Sequence, residues 1–421
     1  MPDNTRVLVV GTTPDYIDWI HQTWPGRALF LTDIALRQTA TEPDPDPSSE
    51  VLVDLKHPAQ SSRRLTEHLR HYGLHLGGIT CFDCEAMPLT ARLAELFQLP
   101  YPSLAAVESC RNKYRCQQAW RKAGIPCPET HLMTEAKEAV AFFERTDGAC
   151  VLKPLQGAGS EFVYRCHHAE EVLQAAREIH QGLERQKENR LYQGTRHQFL
   201  AEAYVEGPEY SCDFLLEENR LLVIRLARKL PRPGAPFGTV QAYLVPADLP
   251  ENLSQTQLEN LLTRSAQALG LSGIICMVDF IMGPNGPVLL EMAPRPGGDC
   301  LPSLIRHAAG VDILGITLDR AEGYDVTLPP PSQWRPCVGL RLFAPQEGKL
   351  LDIDIRQAQA DPRVLEIELK QGPGHQIVFP PRDYDGWLLG HLFFTPDPDQ
   401  PIESQCEELL KTVQMTIEET P

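Results

Sequence analysis

In residues 1–112 the apolar positions fall in short runs separated by stretches of helical spacing. Runs at 6–10, 28–31, 51–55 and 78–82 read as strands, and the segments near 16–22, 61–71 and 85–97 read as helices. Such alternation builds a doubly wound parallel sheet covered by helices on both faces. A single helix is expected over 108–122, with Trp120 on one side and basic residues on another, ended by Gly124-Ile-Pro-Cys-Pro128. Beyond it come a strand at 150–155, a Gly-rich turn, a strand at 161–164 and a long helix near 169–184. The polar segment 186–198 reads as a mobile loop. A hairpin is expected from 211–216 and 221–228 over Glu217-Glu-Asn-Arg220, then an amphipathic helix over 255–269. One helix is expected over 301–321, and Pro329-Pro-Pro-Ser-Gln333 forms a stiff junction. Strand-like runs at 338–343, 364–368 and 387–394 and a final helix near 404–419 complete an α+β tail.

The stretch 277–298 carries the most chemical information. Two apolar runs flank Gly283-Pro-Asn-Gly286, and Gly and Asn at such a break signal a hairpin. With a loop from Gly283 to Pro287, Met282 pairs with Val288, and the same register sets Asp279 opposite Glu291. Opposed like charges destabilise a strand pair. A bound cation relieves them, and carboxylates that hold Mg²⁺ commonly do so for a phosphate substrate. A slip of one residue would send the acids to opposite faces.

Composition narrows the class. Across 421 residues the chain is 42% hydrophobic and 23% charged, as in ordinary globular proteins, and long enough for two or three domains. A net charge of −17 speaks against non-specific binding to nucleic acid or anionic membranes. No apolar stretch approaches bilayer-spanning length. The first residues lack a basic region followed by a long apolar core, so no secretion signal is expected and the expected location is the cytoplasm. The twelve cysteines lack framework spacing, which predicts reduced thiols. Cys81-Phe-Asp-Cys84 has no second pair to complete a zinc site.

Three further groups could carry chemistry. Lys153 precedes a loop containing Gly157, Gly159 and Ser160, where backbone N–H groups could approach phosphate oxygens and the lysine could supply a point charge. The plain alternative is a hairpin turn with a solvated lysine. Order excludes a Walker loop, because the lysine comes before the glycines. Glu202 and Glu209 flank a Gly-Pro turn and suit an exocyclic amine or a ribose diol, or are simply solvent-facing acids. Arg295 offers a planar fork for an anion, or a surface ion pair. Gly11, at the end of the first strand, reads as a turn near a ligand-binding sheet edge, without a dinucleotide fingerprint.

The order of these motifs resembles the ATP-grasp superfamily over nearly the whole chain: a lysine in a helix (Lys113), a lysine before a Gly-rich loop, two glutamates across a Gly-Pro turn, then acid, hairpin, acid and Arg-Gly-Gly. The resemblance implies an N-terminal pre-ATP-grasp α/β domain at 1–112, an ATP-grasp domain at 113–325 with a lid subdomain about 128–207, and a small C-terminal α+β domain at 326–421. It implies ATP as nucleotide and Mg²⁺, with Mn²⁺ as a substitute. Lys113 and Lys153 would touch phosphate, and 157–160 would close over the triphosphate. Glu202 and the backbone of Ala203 to Val205 would meet adenine, and Glu209 the ribose. Asp279 and Glu291 would hold metal, and Arg295 would face the transferred phosphoryl group or a substrate carboxylate. The implied activity is ATP-dependent carboxylate–amine ligation through an acyl phosphate. The substrates would be a small carboxylate and an amine, one of them an amino acid, and the acceptor would sit between Gly11, 81–85 and Arg295. A homodimer is common in the family. Two departures stand out: Ala293 replaces an asparagine that many members carry, and Gln241 lies near where ligases often place an acid. Two other readings stay open, an ATP-dependent carboxylase activating bicarbonate and a nucleotide-binding regulatory protein without turnover.

Overall fold

The computed structural model describes residues 4–146, 148–192, 195, 197–217 and 220–418. Four parallel strands open the chain, in the order Glu50–Val53, Ala28–Asp33, Thr5–Val10, His75–Thr80. Val7, Leu8, Val9 and Val10 are all buried. A strand covered on both faces reads as a continuous apolar run rather than an alternating one. Leu8, Val10, Leu29 and Leu31 pack on one face with Met87, Leu93 and Val107, while Val7, Val9 and Phe30 pack on the other with Ile17, Ile313 and Leu314.

An eight-stranded antiparallel sheet forms the centre, in the order Gly286–Ala293, Ile275–Gly283, Glu209–Leu216, Leu221–Pro231, Val240–Val245, Cys337–Phe343, Leu388–Phe394, Val364–Leu369. Its last three strands come from the segment 326–421, so that segment shares a sheet with the centre of the chain. A smaller sheet of Thr130–Met133, Phe199–Ala203, Cys150–Pro154 and Tyr164–Cys166 stands apart, backed by the helix Ala169–Arg185. The remaining sheet joins Gln376–Ile377, Gly348–Asp354 and Gln414–Glu418.

Several expected elements differ. The helix expected over 108–122 is two, Leu104–Arg111 and Lys113–Lys122, broken where Asn112 takes an extended conformation and its side chain caps Arg115 N–H. The helix expected over 301–321 is also two, Leu301–Ala309 and Ile313–Ala321. Gly310 adopts a left-handed φ of 65°, and Asp312 caps the second helix through Leu314 and Gly315 N–H. The final helix stops at Lys411, and 414–418 form a strand in which Gln414, Thr416 and Glu418 are exposed and alternate with half-buried Met415 and Ile417. The strand expected at 161–164 begins only at Tyr164. The tip of the Glu217–Arg220 turn, residues 218 and 219, and positions 193, 194 and 196 of the polar 186–198 segment lie outside the described residues. All twelve cysteines are free thiols. No helix among the described residues is long and apolar enough to cross a membrane.

A buried ion pair holds the central sheet to the segment behind it. Arg225 Nε donates to Asp213 Oδ2 at 2.9 Å, and Asp213 Oδ1 accepts from Gly297 N–H at 3.0 Å. A Cβ at Gly297 would lie 2.7 Å from Arg225 Nη2, so only glycine lets the backbone come this close. Removing one partner of a buried pair strands the other charge, at a cost of about 3–5 kcal/mol. Asp213→Ala is therefore expected to lower the thermal unfolding midpoint by many degrees, and an unchanged midpoint would show that the pair contributes little.

Candidate active site

The acid hairpin reaches its register by an unexpected route. Its turn is tighter than the sequence suggests, with Gly283 opposite Gly286 and Met282 opposite Pro287 rather than Val288. Taken alone, that shift would turn one acid away. A bulge at Leu290 restores the register, because Phe280 pairs with Leu289 while Asp279 pairs with Glu291. The neighbouring hairpin uses the same device. A bulge at Ile224 sets Arg225 opposite Asp213 and Lys229 opposite Glu209.

The acids are matched by lysines. Lys113 Nζ lies 2.8 Å from Glu291 Oε2, and Lys153 Nζ lies 2.7 Å from Glu202 Oε2. Lys229, which local sequence patterns did not single out, bridges Glu209 and Asp279 at 2.6 Å each. Its only local signal is its place opposite Glu209, which the Ile224 bulge conceals. Burial works against the Glu291 carboxylate, but Lys113, Lys153 and Lys229 outweigh it and hold its pKa at about 2. Burial pushes Asp279 up, Lys229 pulls it down, and Glu291 and Glu209 add to the rise. Lys113 is likewise disfavoured by burial but held charged by Glu291.

Asp279 Oδ1 is buried and makes no hydrogen bond among the described residues. An acceptor oxygen left free beside a second carboxylate is the donor set that a hard divalent cation takes. Asp279 and Glu291 therefore fit Mg²⁺. Ala293 adds no donor and sits in the apolar cluster with Val107 and Ala91.

A cavity of about 730 Å³ gathers Lys113, Lys153, Gly157, Gly159, Ser160, Glu202, Ala203, Val205, Glu209, Asp279 and Glu291. The Gly-rich loop leans on the Pro-rich hairpin tip, with Ser160 Oγ donating to Gly238 O at 3.0 Å. A second cavity of about 900 Å³ shares Lys113, Lys229, Asp279, Glu291 and part of the Gly-rich loop with the first. Both volumes fall in the usual range for small-molecule sites. Arg295 lines the second cavity, with Nε and Nη2 donating to Cys84 Sγ at 3.2 and 3.0 Å. Gly11 does not line it. Gly11 packs against Ala86 and Leu55, and Thr13, Asp15 and Tyr16 take its place on the wall. Gln241 lines neither cavity and donates to Arg341 O at 2.8 Å.

The second cavity carries both signs of charge throughout: Asp15, Asp83 and Glu85 line it with Arg111 and Arg295, and Glu368 and Asp385 line it with Arg341 and Lys370. Asp299, at φ 58°, takes His391 Nε2 at 2.8 Å and lies 3.3 Å from Arg341 Nε. Asp299, Cys300 and His391 lie within metal-ligating reach of one another. Burial drives the Cys300 thiol well above its usual value, and the Arg341 guanidinium already occupies Asp299, so the group reads as an ion-pair cluster.

Burial and the neighbouring Glu85 push the Asp83 carboxyl up to about 7, against the pull of Arg295. A carboxyl whose pKa rises from ~3.9 in the unfolded chain binds protons more tightly when folded, so stability falls as pH climbs through that window. Asp83→Asn removes this loss. Its melting temperature is expected above wild type at about pH 8, with the gap closing toward about pH 4. An equal gap at both ends would exclude Asp83 as the source.

Residues 146–303 match the family model of the ATP-grasp domain. The uncharacterized protein y4rH of Sinorhizobium fredii is 28% identical over 304 residues, covering 72% of this chain and 61% of that protein. Carnosine synthase 1 of Gallus gallus is 28% identical over 350 residues, 76% of this chain and 36% of the synthase, and D-alanine–D-alanine ligase of Aromatoleum aromaticum is 27% identical over 235 residues, 54% and 71% of the two chains. The chain thus spans less than two thirds of the length of the first two relatives. Among solved structures, the L-amino acid ligase from Bacillus licheniformis superposes over 100% of both chains with a TM-score of 0.78 at 17% identity. Residues 146–303 thus match an ATP-grasp domain, and the whole chain shares its fold with the L-amino acid ligase.

Proposed function

We propose that the protein is an ATP-dependent carboxylate–amine ligase that joins an amino acid to a second small substrate. The observation that carries this reading is the meeting of the two cavities at Asp279 and Glu291, one walled by lysines and a Gly-rich loop, the other carrying carboxylates and guanidinium groups together. A zwitterion fits the second cavity, with its ammonium toward Asp83 and Glu85 and its carboxylate toward Arg341 or Arg295.

ATP would occupy the first cavity, its phosphates drawing Lys113 and Lys153 from their carboxylate partners. Bound Mg²⁺, held by Asp279 and Glu291, would supply charge neutralisation at the phosphates. A substrate carboxylate oxygen attacks the γ-phosphorus and ADP leaves, giving an acyl phosphate. Arg295 and Lys229 offset the charge that develops. The amine then attacks the acyl carbon, phosphate departs and the amide forms. Asp83, whose raised pKa suits a proton acceptor near neutrality, takes the amine proton. The Gly-rich loop resting on Gly238 would exclude the water that otherwise hydrolyses the acyl phosphate. The homology to carnosine synthase and D-alanine–D-alanine ligase supports amino-acid substrates.

The test measures phosphate release from Mg·ATP by the full chain against a matrix of amino-acid pairs, and separately against bicarbonate with nucleotide precursors. Release is expected only with amino acids, accompanied by an amide product. Release with bicarbonate alone would transfer the function to a carboxylase, and nucleotide binding without release in any arm would leave a regulatory protein. Glu291→Ala is expected to lower turnover by about a hundredfold or more. Wild-type rates in that variant would sink the metal assignment.

A further inference from the structure

Gln117 is fully buried on the helix Lys113–Lys122, one turn past Lys113. Residues four apart share a helix face, so the same face that aims Lys113 at Glu291 aims Gln117 at Glu202. Gln117 Nε2 donates to Glu202 Oε1 at 2.7 Å and to Leu290 O at 3.3 Å, the carbonyl of the bulge residue in the acid hairpin. Thr130 Oγ1 contacts Gln117 Oε1 and also lies 3.1 Å from Pro128 O. A hydroxyl has one hydrogen to give. Only the NH₂ end of an amide can face a carboxylate, so Gln117 Oε1 faces Thr130, and the hydroxyl hydrogen points to it rather than to Pro128.

The chain of donors therefore runs one way, from Thr130 to Gln117 to Glu202. Lys153 supplies a donor to the other oxygen, Oε2. When phosphates draw Lys153 away, buried Glu202 keeps the Gln117 donor on Oε1, and its freed Oε2 offers a ligand only acceptor capacity. We propose that Gln117, oriented by Thr130, is a positioning residue that sets the nucleobase preference of the first cavity. It holds the Glu202 acceptor in place, which admits a purine bearing an amine at position 6 and disfavours one bearing a carbonyl there. A site built to hydrogen-bond a donor rejects the analogue that presents an acceptor, because two acceptors then face each other in a buried place. The inference rests on the nucleotide reading of this cavity.

The experiment compares dissociation constants for Mg·ATP and Mg·ITP by calorimetry on the full chain, in wild type, Thr130→Val and Gln117→Leu. Wild type is expected to favour ATP. Thr130→Val deprives the amide oxygen of its donor and loosens the amide, and Gln117→Leu removes it. Each is expected to narrow the ATP-to-ITP ratio by about tenfold, equivalent to about 1.4 kcal/mol. A general structural defect would weaken both nucleotides together and leave the ratio in place, which would overturn the inference. Thr130→Val deletes a single hydroxyl and carries the test if Gln117→Leu does not fold. A wild type that prefers ATP beside variants with an unchanged ratio would remove Gln117 alone. A wild type that binds neither nucleotide would remove the nucleotide reading as well.

Discussion

Buried carboxylates without counter-charges are not stable in a folded protein, and this constraint organises the site. Desolvation costs each ion several kcal/mol even after relaxation, repaid only by a well-placed partner. Here buried Glu202 and Asp279 and half-buried Glu209 and Glu291 meet Lys113, Lys153 and Lys229 at 2.6–2.8 Å. The lysines arrive from three different places, a helix start, a strand in the small sheet and a strand in the large one. Neutralising the acids therefore ties these elements together. The same pairing leaves cationic groups poised where an anionic ligand can take over their carboxylates.

That arrangement depends on two backbone irregularities. A bulge shifts which residues oppose one another without changing the composition of either strand. The bulge at Leu290 brings Asp279 and Glu291 together despite a tight two-residue turn, and the bulge at Ile224 gives both Arg225 and Lys229 acidic neighbours. The first creates the acid pair, and the second supplies the cations that make it tolerable. Beyond the acids, Asp213 accepts from Gly297 N–H and so fixes the backbone two residues past Arg295, which turns that guanidinium toward Cys84 and the second cavity.

Much of this was legible from the chain itself. The parallel strands, the lysine before the Gly-rich loop and the flanked Gly-Pro turn are local patterns, and the residues read from them line one cavity. The opposition of Asp279 and Glu291 was also anticipated, although from a looser turn than the one present. Helix lengths were less legible. Asn112 and Asp312 read as ordinary helical positions until their side chains are seen to cap the helices that follow them. The final segment has helical and strand character in one apolar pattern: it stays helical to Lys411, and pairing with Gly348–Asp354 makes 414–418 a strand.

The sequence by itself determined the kinds of element, the chemical types of the site residues and their order, because periodicity, turn chemistry and charge are properties of neighbouring residues. It did not disclose Lys229 as the bridge between Glu209 and Asp279, nor Gln117 behind Glu202, nor the wall of Arg341, Asp299 and His391 across the second cavity. Those depend on register and on long-range pairing. A one-residue bulge changes every opposed pair beyond it while leaving no mark in composition, and strands from 337–394 join the central sheet only through contacts far apart in the chain. Tertiary structure decided which charges meet, since only the folded sheet brings them within reach.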